Sequence, residues 1–344
     1  MKKKLVLLLV ITMTMLAFAG CGGGGGEAEP PENGQEQPAD GAVKTGLAIL
    51  TSADGSTDAE AEEGVAEAYS NIVAVMVDGE GRILNCAIDS AQTKINFTTD
   101  GKITTALDTI FVGKQELGDE YGMKRASSIG KEWNEQANAF ADYVIGKTLD
   151  EIKGISLNQG VPADEDLASS VTIHVTDYIQ AIEKAVKNAV ALGANADDKL
   201  GIGVVTSIDK SEDADGGEGF AQAYSNYAAV TFDANGVITS CIIDASQTNI
   251  KFDSTGKITD SNGPYLTKNE IGDDYGMRDA SSIGREWYEQ AASFADYVVG
   301  KTVDQVKGIS LAEGAPADED LASSVTIGVG DFIDVIEKAS IYSR

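Results

Sequence analysis

Apolar and polar positions alternate with a period of two through one stretch of this chain, change to a helical period, and then repeat the same change. Alternation at every second residue puts one face of a strand into a core, whereas spacings of three and four put one face of a helix there. The alternating stretches predict a short strand at 47–51 and then strands at 69–77 and 82–89 about the turn Asp78-Gly79-Glu80-Gly81. Their counterparts are 202–208, 224–232 and 237–244, with Asn235-Gly236 at the turn, a strong hairpin signal between alternating apolar runs. A further strand is expected around 95–97 and again around 250–252. The period then changes: Ile129, Trp133, Ala137, Phe140 and Val144 fall on one helical face, which predicts a helix starting near Ser127-Ser128 and ending at Gly146. Ile283, Trp287, Ala291, Phe294 and Val298 predict its twin, ending at Gly300. A shorter helical or turn segment leads to Gly154 or Gly308, a Pro-Ala-Asp-Glu-Asp loop follows, and a last helix is expected from about Asp177 or Asp331. Strands gathered first and helices later predict an α+β class built on an antiparallel sheet.

The two halves are a duplication: 119–172 and 273–326 align without a gap and share 40 of 54 positions. Two homologous domains are therefore expected, 45–193 and 200–344, each of a size that folds alone, with a linker at 194–199. Within the duplication the octapeptide Asp-Leu-Ala-Ser-Ser-Val-Thr-Ile occurs at 166–173 and again at 320–327. It keeps hydroxyls and carboxylates that packing alone does not require, which singles out Thr172 and Thr326.

The first 44 residues read differently. Three lysines follow Met1 and an apolar run extends to Phe18, which is a secretory signal, too short and wrongly flanked for a membrane-spanning helix. Its end, Leu16-Ala17-Phe18-Ala19-Gly20-Cys21, resembles the lipobox of bacterial lipoproteins. That resemblance implies a signal peptide at 1–20, lipidation of Cys21, and anchoring on the outer face of the cell membrane. A secreted protein cleaved near Ala19 is the alternative. From 21 to 44 the chain is rich in Gly, Pro, Gln and Glu and reads as a flexible tether.

With 55 acidic and 26 basic residues the net charge is -29, which disfavours nucleic acid as a partner, because phosphate binding needs clustered Lys and Arg. Cys86 and Cys241 are equivalent residues of the two repeats in alternating strands, expected as buried small hydrophobes rather than redox or metal groups.

On residue types alone, Asp-Leu-Ala-Ser-Ser-Val-Thr fits the start of a helix, where Asp, Ser and Thr oxygens accept unpaired amide hydrogens. The same pattern, Asp-x-x-Ser-Ser-Val-Thr, resembles the acceptor motif of FMN-binding domains that carry covalent flavin. Asp166, Ser169, Ser170 and Thr172 match it, as do Asp320, Ser323, Ser324 and Thr326. Ser in place of Gly and Val in place of Ala occur in a subgroup, the flavinylated, pheromone-type lipoproteins of Gram-positive extracellular electron transfer. This chain is similar to that subgroup over its folded length, including Tyr-Gly-Met followed by Ser-Ser-Ile-Gly-x-Glu-Trp-x-Glu-Gln-Ala.

The resemblance implies two tandem FMN-binding domains, each an antiparallel sheet packed with helices. A flavin transferase would move FMN from FAD onto Thr172 and Thr326 through a phosphodiester. The protein would relay electrons from a membrane quinol or flavin-linked dehydrogenase to extracellular acceptors such as ferric iron or free flavins, as a carrier rather than an enzyme with its own substrate chemistry. The neighbouring Asp and Ser residues would serve transferase recognition or hydrogen bonding.

Tyr121 and Met123, with Tyr275 and Met277, form an identical loop before the helix, and either contact a flavin ring or belong to the core. Trp133 and Trp287 lie on the apolar helix stripe and are expected in the core. Gly146-Lys147-Thr148 and its twin lack the earlier glycine of a P-loop, and Gly201-Ile202-Gly203 lacks the third glycine of a dinucleotide fingerprint. His174 has Gly328 as its counterpart, so a histidine role does not fit a duplicated function. A non-redox binding or adhesion lipoprotein sharing the fold remains open at this point, as does a terminal reductase with its own pocket.

Overall fold

The computed structural model describes residues 42–344; the expected signal peptide, Cys21 and nearly all of the expected tether lie outside the described residues. The first repeat runs β1 (Lys44–Ser52), β2 (Gly64–Val77), β3 (Ile83–Phe97), β4 (Ile110–Val112), α1 (Lys114–Leu117), α2 (Trp133–Val144), α3 (Leu149–Lys153), β5 (Leu157–Asn158), β6 (Val161–Pro162), α4 (Glu165–Ala168) and α5 (Thr176–Lys187). The second runs β7 (Lys199–Ser207), β8 (Glu218–Phe232), β9 (Ile238–Asp253), β10 (Ile258–Asp260), α6 (Lys268–Ile271), α7 (Trp287–Val298), α8 (Val303–Lys307), β11 (Leu311–Ala312), β12 (Ala315–Pro316), α9 (Glu319–Ala322) and α10 (Gly330–Ile341).

Every strand pairing is antiparallel, as expected of the α+β class. Of the two large sheets one has the order β1-β2-β3 and the other β10-β9-β8-β7-β4, so β4 of the first repeat completes the large sheet of the second, and β5-β6 and β11-β12 form separate two-stranded hairpins. The segments at 95–97 and 250–252, expected as separate strands, are the ends of β3 and β9, which run for 15 and 16 residues. The apolar alternation breaks at Asp89-Ser90 and Asp244, yet these polar residues are buried and hydrogen-bonded, so the ladder continues through them.

Both faces of each sheet are covered. Val73, Val75 and Val77 face Trp133 and Phe140 of α2 and Ile182 of α5, while Ile72, Ala74 and Met76 face Ile202, Val204 and Tyr227 of the other sheet. The layers are thus helices, sheet, sheet, helices, and residues 72–77 are buried without exception, so the alternation expected over 69–77 gives way there to a continuous apolar run. At one end of the seam Phe97 stacks on Phe252 with ring centroids 4.4 Å apart and planes at 11°. The described residues form one compact unit. The expected linker at 194–199 is a fixed turn: Ala194 is buried in the seam, and Asp198 accepts from Asn195 N at 2.7 Å and from Thr239 Oγ1 at 2.6 Å.

The long helix starts at Trp133, later than expected from Ser127-Ser128, and Ile129 precedes it. Gly130 takes a left-handed φ of +64°, which breaks helical continuity, and Glu132 with Glu135 forms a capping box. Glu286 and Glu289 do the same for α7. Gly201 and Gly203 let α10 lie against β7: a Cβ on either would sit 1.8 Å from a carbonyl oxygen, of Ala339 or Val335. Among the described residues no helix is long and apolar enough to cross a membrane.

Candidate functional site

Each Asp-Leu-Ala-Ser-Ser-Val-Thr segment folds as one short helix and the residues that leave it. The N-cap is Asp164, just upstream of the repeated octapeptide, and its Oδ1 accepts from Asp166 N at 3.1 Å and Leu167 N at 3.3 Å. Asp318 does the same for α9. The helix-start reading of the residue types thus belongs to Asp164 and Asp318, and the Asp166 and Asp320 carboxylates stay exposed. Ser169 Oγ donates to Asp166 O at 2.7 Å and Ser323 Oγ to Asp320 O at 2.6 Å, while Ser324 Oγ donates to Leu321 O at 3.1 Å. Leu167 and Val171, with Leu321 and Val325, pin the turns to the two cores. Ser170 and Ser324 are half-buried.

The chain is non-helical at the threonine, and in both repeats one buried glutamine holds it. Thr172 N and Thr172 Oγ1 both donate to Gln136 Oε1, at 2.7 and 3.0 Å. Thr326 N and Oγ1 donate to Gln290 Oε1 at 2.8 and 3.1 Å. Each glutamine is fixed in turn by its amide hydrogens: Gln136 Nε2 donates to Ser127 Oγ at 3.2 Å and Lys131 O at 3.1 Å, with Ser281 and Arg285 in the same roles for Gln290. The amide has no freedom left to turn, so its oxygen faces the threonine. Thr172 is half-buried and Thr326 exposed, and in each the backbone N–H and the hydroxyl turn inward onto the buried glutamine.

One helical turn earlier on the same helix stands a buried carboxylate. Glu132 accepts from Met123 N at 2.9 Å and Lys124 N at 2.8 Å, and Glu286 accepts from Met277 N and Arg278 N at the same distances. Burial pushes the Glu132 carboxyl upward, but the amides of Lys124 and Met123 outweigh it and hold it below its ordinary value. The start of α2 therefore carries both loops, Tyr121 to Met123 through Glu132 and the threonine segment through Gln136. Tyr121, Met123, Tyr275 and Met277 are half-buried, each with one side against a core. Trp133 and Trp287 are in the core.

Behind these loops lies a buried ammonium. Lys114 Nζ donates to Tyr69 Oη at 3.0 Å and Tyr121 Oη at 2.7 Å and lies over the rings of Tyr69, Tyr121 and Trp133 at 4.7, 4.3 and 5.6 Å. Lys268 lies over the rings of Tyr224, Tyr275 and Trp287 at 4.6, 4.6 and 4.9 Å and donates to Tyr224 Oη at 3.0 Å, while Tyr275 Oη donates instead to Gln247 Oε1 at 3.3 Å. Burial lowers Lys268 to about 8, against the opposing charge of Asp244. Sequence reasoning assigned no role to Gln136, Gln290, Glu132, Glu286, Lys114 or Lys268. A signal for the glutamines was present, since Gln136 shares the buried stripe of Trp133, Ala137 and Phe140.

The remaining sequence candidates have structural roles. Thr148 N-caps α3, and Lys147 lies over the Tyr143 ring at 4.1 Å. Cys86 and Cys241 are buried free thiols; burial pushes Cys86 up to about 12 and raises Cys241 as well. His174 is exposed beside Gly160. Among the described residues no group of His, Cys, Asp and Glu side chains could hold a metal ion.

No family model matches the chain, and no solved structure matches it. A similar protein is a chlorophenol reductase of Desulfitobacterium hafniense, 50% identical over 40 residues, a stretch that covers 12% of this chain and 12% of that one. Identity over so short a stretch shows neither a family nor an activity.

Proposed function

We propose that this protein is an extracellular electron carrier with one FMN in each repeat, bound through a phosphodiester to Thr172 and Thr326. The observation that carries the reading is the twofold recurrence of one arrangement: a surface threonine, in a non-helical segment, whose N–H and hydroxyl both rest on a buried, fully anchored glutamine. These residues fit the group. Esterification removes the hydroxyl proton and with it one hydrogen bond, worth about 1 kcal/mol, but leaves the backbone N–H bond to Gln136 or Gln290 in place. Four residues beyond each threonine begins a 12-residue helix, α5 or α10, with no side-chain cap at Val175 or Val329. Asp177 and Asp331 stand in the first turns of these helices, so the helix dipole and these carboxylates act on a nearby phosphodiester in opposite senses. FMN, when bound, supplies the redox chemistry, and the chain supplies placement and electrostatics.

On this reading a flavin transferase loads the protein, Cys21 anchors it by lipid outside the cell membrane, and a membrane quinol or flavin-linked dehydrogenase delivers electrons for ferric iron or free flavins. Protein co-expressed with a flavin transferase is expected to be yellow and to gain the mass of two FMN groups. Thr172→Val and Thr326→Val are each expected to lose one. An unmodified mass in that co-expression overturns the reading in favour of a non-redox binding lipoprotein.

A further inference from the structure

The two repeats meet along two equivalent grooves, one on each side of the sheet seam, and the grooves differ. In one, the walls are Ile88, Gln115 and Asn138 of the first repeat and Ile202 of the second, and the cavity between them is only about 10 Å³. It is filled by the Tyr342 side chain and by Arg344, whose Nη1 donates to Asn138 O at 3.1 Å and whose guanidinium pairs with Asp142 of α2. A solvent-open hollow of about 530 Å³ lined by Asn134, Asn138 and Asp142 remains outside Arg344, but the apolar depth is gone. In the other groove the corresponding walls are Ile243, Asn269, Ala292 and Leu47, and Asn188 and Val190 stand where Tyr342 and Arg344 stand in the first. That groove is an open cavity of about 510 Å³.

The backbones at the two places match. Val190 exchanges N–H and C=O bonds with Thr45 at 2.9 and 3.0 Å, and Arg344 does so with Leu200 at 3.1 Å. The flanking ion pair is also kept, Lys184 with Glu270 at 2.6 Å on the open side and Lys338 with Glu116 on the filled side. The side chains differ: Tyr342 and Arg344 give way to an amide and a valine, Asn138 and Gln115 of the walls to Ala292 and Asn269, and Leu192 joins the lining of the open groove. The acid that receives the cation is kept: Asp296 of α7, the counterpart of Asp142, lines the open groove and has no ion-pair partner among the described residues. Partial burial raises its carboxyl, although the residue as a whole is exposed.

We infer that the open groove is a binding site for a small organic cation that joins a planar ring to an ammonium or guanidinium group, with the ring between Leu47 and Ile243 and the charge on Asp296. The cavity has the size of small-molecule sites, roughly 300–1,000 Å³, and apolar side chains such as Leu47 and Ile243 line it together with Asp244, Asp296 and the Lys184–Glu270 pair. The filled groove supplies the template, since Tyr342 and Arg344 are those two groups delivered by the chain itself. The site is independent of Thr172 and Thr326 and of any flavin.

The test uses the full chain and three phenols of one shape: tyramine, a cation; tyrosol, its neutral hydroxyl analogue; and 4-hydroxyphenylacetate, an anion, each titrated by NMR. Tyramine is expected to bind saturably, with shifts confined to the groove residues, about fivefold or more tighter than tyrosol, and 4-hydroxyphenylacetate not at all. Asp296→Asn, an exposed position, is expected to bring tyramine down to tyrosol's affinity without changing tyrosol's. Asn188→Tyr with Val190→Arg, which copies the filled groove, is expected to abolish binding of both. Absence of saturable tyramine binding, equal binding of tyrosol, or binding that survives the filling variant overturns the inference.

Discussion

At the residue scale the candidate site depends on a buried amide more than on the threonines that mark it. Gln136 accepts from two groups of Thr172 and donates to Ser127 and Lys131, so removing it leaves several polar groups without partners. Gln136→Leu is expected to cost about 1–3 kcal/mol in denaturant unfolding. In protein co-expressed with a flavin transferase it should reduce loading at Thr172 while Thr326, held by Gln290, serves as an internal control; equal loading at both sites would remove Gln136 from the site. The threonines were legible because a duplicated chain repeats them with their hydroxyl and acidic neighbours. The glutamine stood in plain view, in a repeated Glu-Trp-x-Glu-Gln-Ala motif and on an apolar stripe, but neither position tells what it holds 36 residues away. The lysines were hidden for a related reason, their aromatic boxes being gathered from three separate segments.

Two other buried groups give the molecule an unusual pH response. Burial pushes Asp89 and Asp244 up to about 7 against the amide hydrogen bonds they accept. An unfolded chain releases these protons near pH 4, whereas the folded one keeps them to about pH 7, so between those values their contribution falls as pH rises, by on the order of a few kcal/mol, and is level above. Carboxylates held low, such as Glu132, act in the opposite sense at the acid end. The comparison is therefore with Asp89→Asn and Asp244→Asn, which keep an acceptor for the same amides. Each is expected to make unfolding free energy less dependent on pH between 4 and 7, and a slope identical to the parent's would show that the carboxyls already ionise normally in the fold.

At the scale of elements, periodicity located strands and helices where one face meets water, and blurred them where both faces are covered. The hairpins about Gly81 and Asn235-Gly236 follow the alternation, but β3 and β9 run past Asp89 and Asp244 because the cost of burying those polar groups is met by amides that no local pattern displays. The helix period at Ile129 reached back too far for a similar reason: it registers which residues are apolar and is blind to Gly130 turning left-handed ahead of the Glu132 cap. Glycine also sets how closely elements approach. Gly203 allows α10 to cross β7 with Val335 O where a side chain would otherwise stand, and Gly46 does the same for α5 beneath Ala185 O. Gly203→Ala is expected to lose about 1–3 kcal/mol in denaturant unfolding, because the whole helix must lift for one methyl group. Gly236→Ala, at a turn with nothing within 4 Å of the added carbon, is a control that tests backbone strain alone and should cost less than Gly203→Ala.

For the molecule as a whole, the question raised by a duplicated sequence is whether two copies make two folding units. Length alone favours two, since each repeat is as long as many independent domains. The buried seam argues otherwise. Ile72, Ala74 and Met76 of one sheet and Ile202, Val204 and Tyr227 of the other are covered only because the sheets face each other, and β4 leaves its own repeat to pair with β7. A single repeat would expose that face to water, and large exposed apolar faces lead to association. Calorimetry of the intact protein is expected to show one transition, and Phe97→Ala, which removes half of the Phe97–Phe252 stack, should lower that single transition by the equivalent of about 3–5 kcal/mol. Residues 45–193 expressed alone should self-associate, with a second copy standing in for the missing sheet. Two resolved transitions, only one of them moved by Phe97→Ala, together with a monomeric 45–193, would mean that each repeat stabilises itself and that the seam between them is a contact rather than a core.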